Sequence, residues 1–200
     1  MEQISYYASA AAFVLVIALW FLFGGVFLLR KKPEATTDGA KIPRSFVGLA
    51  LQGLGYVPIW FMRRQPMFSE YFAGQYVLNI VLQIVAVALA TFSVWFAMSA
   101  VRELGKQWSL EARLVEGHKL ITSGVYQTVR HPIYTAMLGM LIATGIAYSA
   151  WPATLIGVVV FIIGTKIRTV FEERLLIDAF GSEFSEWKAK VPGLIPFVKI

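Results

Sequence analysis

Four long runs without a charged side chain dominate this sequence and limit what it can fold into. They extend from Ala8 to Leu29, from Ser45 to Met62, from Tyr71 to Val101 and from Pro132 to Thr165. A helix needs about 20 apolar residues to cross a ~30 Å hydrocarbon core. Charged residues make up only 15% of the chain, against about 25% in soluble domains. The sequence therefore predicts an integral membrane protein.

The fourth run is too long for one simple helix, because it contains 34 residues. The Trp151-Pro152 dipeptide lies near its centre, and the residue before a proline avoids helical geometry. We predict two antiparallel helices, about 132–149 and 152–171, joined by a very tight turn. With one helix from each earlier run, the chain is expected to be all-α, a polytopic membrane protein with about five transmembrane helices forming a single domain over residues 1–200.

The second and third runs carry features that bear on packing. In the third run, which contains 31 residues, the helix must tilt, start in the interface or project beyond the bilayer. Asn79 and Gln83 lie one turn apart there, so we expect both to face other helices.

Small residues let membrane helices approach closely, so the second run is expected to be kinked or closely packed. Its interruptions are Gly48, Gly53, Gly55 and Pro58.

The distribution of Lys and Arg predicts an orientation. In the five-helix arrangement, the segments 30–44, 102–130 and 166–200 share one side and carry 16 of the 18 basic residues. Basic residues favour the cytoplasmic side, which places the N-terminus outside and the C-terminus in the cytoplasm. Arg63 and Arg64 are the exceptions, and they would fit better if the second run were a re-entrant segment.

The two ends of the sequence also carry expectations. The residues before Ala8 include Glu2 and no Lys or Arg, which is the wrong start for a cleaved signal peptide, so the first run is interpreted as a spanning helix. The tail from Gly181 to Ile200 predicts a short interfacial helix, followed by an irregular end broken by Pro192 and Pro196.

Composition excludes several kinds of site. The chain has no cysteine, so disulfides, thiolate metal sites and cysteine nucleophiles are absent. The net charge is +6, but the basic residues flank apolar runs, which indicates contact with lipid headgroups rather than with nucleic acid. His118 and His131 are the two histidines, and a four-ligand zinc site would need carboxylates as well. No metal site is predicted.

The pentapeptide "RHPIY", residues 130–134, begins the predicted fourth helix. Pro132 suits the first turn, where its missing N–H would have had no partner, so His131 lies at or near the helix cap. The free N–H groups and the positive end of the helix dipole can hold a carboxylate or another electron-rich group. The alternative is a purely structural cap, with Arg130 as a headgroup anchor.

Two further stretches are candidates for the same face. In "RTVFEER", Arg168 and Glu172 are four residues apart and share one helix face. They form either a surface ion pair or, since charges near the membrane are often functional, part of a site. The stretch "WSLEARLVEGHKLITSGVY", residues 108–126, is a connector long enough to fold over a ligand.

Together, these segments resemble the isoprenylcysteine carboxyl methyltransferase family of membrane enzymes and, more loosely, the phospholipid methyltransferases. The matching pattern is "GHKLITSGVYQTVRHPIY", then "RTVFEERLLIDAFGSEFSEW", then "VPGLIPFV". It covers roughly residues 105–198. The order, the spacing and the membrane context all agree with the family, whereas RHP alone would carry little information.

The resemblance implies methyl transfer from S-adenosylmethionine to a lipophilic acceptor that enters from the bilayer. It implies a cofactor pocket on the cytoplasmic face of the inner membrane or of an endomembrane, and no obligate protein partner. Arg168 would be the catalytic residue that contacts the substrate. The implied cofactor-binding residues are His118, Lys119, Leu120, Ile121, Tyr126, His131, Pro132, Ile133, Tyr134 and Glu172.

A non-enzymatic membrane protein is the alternative function, either a haem or quinone carrier or a small transporter. A transporter should show broken helices in corresponding halves of the chain. Only the second uncharged run is clearly interrupted. A carrier would instead be recognised by a bound chromophore or quinone.

Overall fold

A computed structural model describes residues 1–28, 45–107, 119–196 and 198, and within these ranges the all-α prediction is confirmed. Helices α1, α3 and α5 are long and apolar enough to cross a membrane. Helices α2 and α4 have 17 residues each, or about 25 Å at about 1.5 Å per residue. The number of crossings and the orientation stay predictions. The helices are α1 (Glu2–Leu28), α2 (Ser45–Phe61), α3 (Tyr76–Leu104), α4 (Pro132–Tyr148) and α5 (Trp151–Lys190).

The tight turn between the last two helices is confirmed. Only Ser149 and Ala150 separate α4 from α5, and both have extended backbone angles. The turn is fixed to the end of α2, because the Ala150 N–H donates to Met62 O over 3.0 Å and the Ser149 hydroxyl donates to the same oxygen over 3.1 Å. The C-terminal ends of α2 and α4 therefore lie at the same end of the bundle.

Helix α5 is much longer than the predicted 152–171, because it continues for 40 residues to Lys190. The charged residues after Thr165 do not end the helix, since none of them before Gly181 is a helix breaker. Gly181 has φ +55°, a conformation that suits glycine, and bends the chain there. The short helix predicted for the tail is the part of α5 beyond this bend.

Helix α4 lies at the centre of the bundle and packs against each of the other four helices, while α1 packs on α3 and α2 packs on α5. Small side chains fill the contact with α3, where Ala90, Ala97 and Ala143 are fully buried. Since α4 occupies the centre, its N-terminal residues are held in a fixed position relative to α5. This geometry positions the candidate site.

Two polar residues of α3 face other helices, as predicted. Asn79 and Gln83 are both almost fully buried. The Asn79 amide donates to the hydroxyls of Ser5 and Ser9 over 2.9 Å each, and the Gln83 amide donates to Ile146 O over 3.2 Å. These bonds connect α3 to α1 and α4, because a buried amide needs hydrogen-bond partners.

Arg64 has a structural role that the charge count does not reveal. Its side chain is buried, and its two Nη groups donate to Ile146 O over 3.1 Å and Ala147 O over 2.6 Å. These are carbonyls of the last turn of α4, which lack partners within the helix and carry the negative end of its dipole. Its guanidinium also lies 5.7 Å from the ring centre of Tyr71. Arg64 therefore caps α4.

Candidate functional site

The charged part of α5 begins where its apolar part ends. Arg168 lies three residues after Thr165, the last residue of the uncharged run, and is 4% exposed. Its Nε donates to Glu172 Oε1 over 2.9 Å, one turn further along the helix. The two side chains are 5% and 19% exposed, so they do not form a surface ion pair.

Tyr134 of α4 completes this group from the opposite helix. Its hydroxyl donates to the same Oε1 of Glu172. The guanidinium carbon of Arg168 lies 5.4 Å from the centre of the Tyr134 ring, a distance typical of a cation–π contact. A carboxylate, a guanidinium and a phenol from two helices therefore share one small volume.

His131 is the residue before α4 and has non-helical backbone angles, as expected for a cap. Its ring stacks on that of Tyr134 at 5.7 Å. The two ring nitrogens face different carboxylates: Nδ1 lies 3.6 Å from Glu172 Oε2, and Nε2 lies 3.1 Å from Glu173 Oε1. The imidazole thus bridges two neighbouring acidic residues of α5.

Glu173 is a further residue of the candidate site, and the four-residue spacing of Arg168 and Glu172 does not single it out. Its carboxylate accepts from Arg130 Nε and Nη2, both over 2.9 Å, and from Lys188 Nζ over 2.6 Å. Burial raises its pKa, but His131, Lys188 and Arg130 outweigh that effect and lower the pKa to about 2. Glu173 therefore stays ionised and connects the side chains of Arg130, Lys188 and His131.

The segment after α5 returns to the start of α4 and pairs with it. The backbone N–H groups of Arg130 and His131 donate to Pro192 O over 2.8 Å and to Gly193 O over 3.0 Å. The Thr135 hydroxyl follows with a bond of 2.6 Å to the carbonyl of Leu194. The predicted irregular tail is thus fixed in place, and it holds "RHPIY" against α5.

The connector before α4 approaches the site at Tyr126. This residue lies in a 3-10 turn, Gly124–Gln127, and is buried. Burial raises its pKa, and the charges of Glu172 and Glu103 add to that effect. The same Glu103 accepts a hydrogen bond of 2.9 Å from the Ser123 hydroxyl, which ties the connector to α3.

The structure brings some of the predicted residues together and leaves others apart. Direct contacts join His131, Tyr134, Arg168 and Glu172. Pro132 and Ile133 form the first turn of α4. Leu120 and Ile121 are half-buried, and Lys119 is exposed and donates its backbone N–H to the Gln107 side chain. His118 lies outside the described residues.

The sequence of the chain is similar to those of known methyltransferases. The family model described as phospholipid methyltransferase matches residues 81–183. The protein-S-isoprenylcysteine O-methyltransferase B of Arabidopsis thaliana is 36% identical over 90 residues, which cover 44% of this chain and 45% of that protein. The enzyme of Schizosaccharomyces pombe is 28% identical over 102 residues, covering 50% of this chain and 43% of that protein.

The human protein-S-isoprenylcysteine O-methyltransferase is 34% identical over 93 residues, which cover 41% of this chain and 29% of that protein. The chain thus spans less than half the length of each of these relatives. The family model covers more than half of this chain and all of the contacts among His131, Tyr134, Arg168 and Glu172. The protein therefore belongs to the phospholipid methyltransferase family, and it resembles the isoprenylcysteine methyltransferases as its motifs predicted.

Proposed function

We propose that the protein transfers a methyl group from S-adenosylmethionine to a lipophilic acceptor at the cytoplasmic face of a membrane. Family membership and the names of its relatives support methyl transfer. The structural observation that carries the proposal is the contact of Arg168, Glu172, Tyr134 and His131 at the end of an apolar helix. The haem, quinone and transporter alternatives account for neither of these observations.

The chemistry of these side chains fits a methyl donor that carries positive charge on its sulfonium sulfur and its amino group. The Glu172 carboxylate is the group that would attract that charge, and it is 19% exposed. The half-buried side chain of Ile133 supplies an apolar surface against which a flat base can pack. Glu172 is therefore the residue whose loss should most weaken donor binding.

Arg168 is the group proposed to orient the acceptor. A guanidinium can bind a carboxylate through two parallel N–H groups, and it cannot act as a base because it stays protonated. When bound, the donor would supply a methyl group that a carboxylate oxygen attacks, the S–CH₃ bond breaking with its electron pair on sulfur. An acceptor that is already nucleophilic at neutral pH therefore suits this site better than an amine or a thiol.

The apolar part of α5 offers the acceptor a hydrophobic approach. Leu155, Ile156, Val159 and Ile163 are at least 48% exposed and lie on the part of the helix that precedes Arg168. A lipid chain can lie along such a surface in the bilayer, up to the level at which the charged part of the helix begins. The relatives' names specify an isoprenylcysteine, which has an apolar chain and a carboxylate at one end.

Cofactor binding is the first test of the proposal. Titration of the purified protein with S-adenosylhomocysteine by calorimetry should give saturable binding. Loss of one hydrogen-bonded charge costs about 1.5–3 kcal/mol, so Glu172→Ala should weaken that binding roughly tenfold to hundredfold. Glu183→Ala is the matched control, because Glu183 lies on the same helix and is exposed. A wild-type protein that gives no heat of binding at millimolar ligand would contradict the proposal.

The acceptor is tested separately with a donor labelled in its methyl group. Reconstituted protein is offered either N-acetyl-S-farnesylcysteine or phosphatidylethanolamine. We expect labelled methyl ester on the farnesylcysteine, recognised because mild base releases it as methanol. Label that resists base and stays on the phospholipid amine would replace the carboxylate acceptor with an amine. Label on neither acceptor, with cofactor binding intact, would exclude both.

A further inference from the structure

Helices α2 and α5 approach each other through two layers of glycine. In the layer nearer the candidate site, a Cβ added to Gly48 would lie 2.7 Å from Gly164 O. In the second layer, a Cβ added to Gly55 would lie 2.9 Å from Gly157 O. Both distances are shorter than real Cβ contacts and involve backbone atoms, so the two helices touch backbone to backbone, as small residues permit.

The two layers differ in what else they touch. A Cβ at Gly48 would also lie 2.9 Å from both the Cβ and the N of Arg168. A Cβ at Gly55 would lie 3.0 Å from the Cβ and 3.1 Å from the N of Phe161, one heptad earlier on α5. The first layer therefore contacts the Cβ of Arg168, the candidate catalytic residue, whereas the second contacts the apolar core residue Phe161.

A hydrogen bond holds α2 against α5 between these layers. The Gln52 amide donates to the Thr165 hydroxyl over 3.0 Å, and both side chains are buried. Thr165 lies three residues before Arg168, close to one turn of the helix. The rigid contact of α2 therefore extends to the turn that carries Arg168.

We propose that α2 positions Arg168 through Gly48, whose backbone packs directly against the backbone N and the Cβ of the arginine. Tyr134 and Glu172 fix its guanidinium on the other side. Helix α2 lies before residue 81, outside the stretch that the family model matches. An element from outside that stretch thus sets the placement of a residue within it. The catalytic consequence of this inference rests on the proposed role of Arg168, whereas the packing of α2 against Arg168 does not depend on that role.

Chemical labelling of Arg168 tests the geometry without any assay of turnover. Phenylglyoxal modifies accessible arginines, and mass spectrometry locates the adduct. Arg168 is buried in the wild type, and Gly48→Ala forces α2 away from it, so its modification rate should rise several-fold as in local opening. Gly55→Ala, whose added Cβ would also lie less than 3.0 Å from a backbone atom of α5, should leave that rate unchanged. The exposed Arg174 on the same helix is the internal reference.

Equal rates of Arg168 modification in the two alanine variants would overturn the proposal. Should neither variant fold, Thr165→Val removes the Gln52 bond without adding bulk. It should also raise the modification rate of Arg168 relative to Arg174, and an unchanged rate would count against the proposal in the same way.

Kinetics with labelled donor and N-acetyl-S-farnesylcysteine give the catalytic consequence. A misplacement of about 1 Å can cost about 100-fold in rate, so Gly48→Ala should lower kcat by that order while S-adenosylhomocysteine affinity stays within twofold of the Gly55→Ala value. Wild-type protein without turnover would end the proposed function, but selective labelling of Arg168 in Gly48→Ala would still support the positioning. Lost cofactor affinity in Gly48→Ala alone would mean that α2 shapes the donor site instead.

Discussion

Two buried arginines at opposite ends of the bundle are used in different ways. Arg64 and Arg168 are 5% and 4% exposed, and each guanidinium lies over a tyrosine ring. Arg64, which lies after the end of α2, donates to backbone carbonyls of α4, whereas Arg168 donates to a carboxylate on its own helix. Similar burial therefore does not indicate a similar role. An arginine bonded to backbone carbonyls contributes to stability, whereas Arg168 is held by side chains of the candidate site, where recognition of the acceptor is its proposed role.

Removal of Arg168 should have the largest effect on activity. Arg168→Ala should lower the rate of methyl transfer by at least about 100-fold, since orientation of the acceptor is lost, while the affinity for S-adenosylhomocysteine stays largely intact. The measurement is turnover with labelled donor beside calorimetric titration. Arg174→Ala, an exposed arginine of the same helix, is the control. Parallel loss of turnover and of cofactor affinity would remove Arg168 from the acceptor role.

Removal of Arg64 should instead affect stability. Arg64→Ala removes the side-chain donor to Ala147 O and one of the two donors to Ile146 O, which keeps the Gln83 amide. Hydrogen bonds to charged groups contribute about 1.5–3 kcal/mol each. We expect a clearly lower thermal unfolding midpoint in detergent and cofactor affinity within twofold of the wild type. The exposed neighbour Arg63→Ala should leave the midpoint unchanged. An unfolding midpoint of Arg64→Ala equal to that of Arg63→Ala would contradict the structural role of Arg64 and its distinction from Arg168.

Glu173→Gln should have an intermediate effect, because the carboxylate holds His131 and the tail but does not itself reach Glu172. Weaker bonds from Arg130 and Lys188 should loosen the start of α4 and reduce S-adenosylhomocysteine affinity about tenfold, as expected for an outer partner of a site residue. Titration against Glu186→Gln, an exposed glutamate of the same helix, checks this. An affinity equal to that of the control would confine Glu173 to a purely structural role.

The smallest effect concerns pH. The pKa of Glu173 is lowered from 4.5 to about 2, so its stabilising contribution is complete above pH 4.5 and is lost as the pH falls towards 2. The gap in unfolding midpoint between wild type and Glu173→Gln should therefore narrow when the pH is lowered from 5 to 3. A gap that stayed the same over this range would show that folding does not lower the pKa of Glu173.

The sequence predicts the features that depend on neighbouring residues. Long uncharged runs predict the helices, Trp151-Pro152 predicts the break between the last two, and four-residue spacing predicts the Arg168–Glu172 pair. These signals are local, because hydrophobic runs, proline geometry and helix periodicity act over a few residues. The role of Arg64 was not predictable in this way, since its partner Ile146 is 82 residues further along the chain.

Glu173 illustrates the same limit within the site. It follows Glu172 directly, so sequence alone does not say which carboxylate faces which partner. The answer depends on how α5 is rotated against α4 and on where the tail returns, and both are properties of packing. The roles of the predicted donor-binding residues stay predictions until the titrations above are made.

The pairing of residues 192–194 with the start of α4 has a consequence for biosynthesis. Chains are made from the N-terminus, so Arg130 and His131 emerge about sixty residues before the carbonyls that accept their N–H groups. Until Pro192 and Gly193 have left the ribosome, the start of α4 lacks those acceptors, and the backbone that carries the His131 imidazole is not held in place. The helices can enter the membrane earlier, but the site closes only when synthesis has passed these residues.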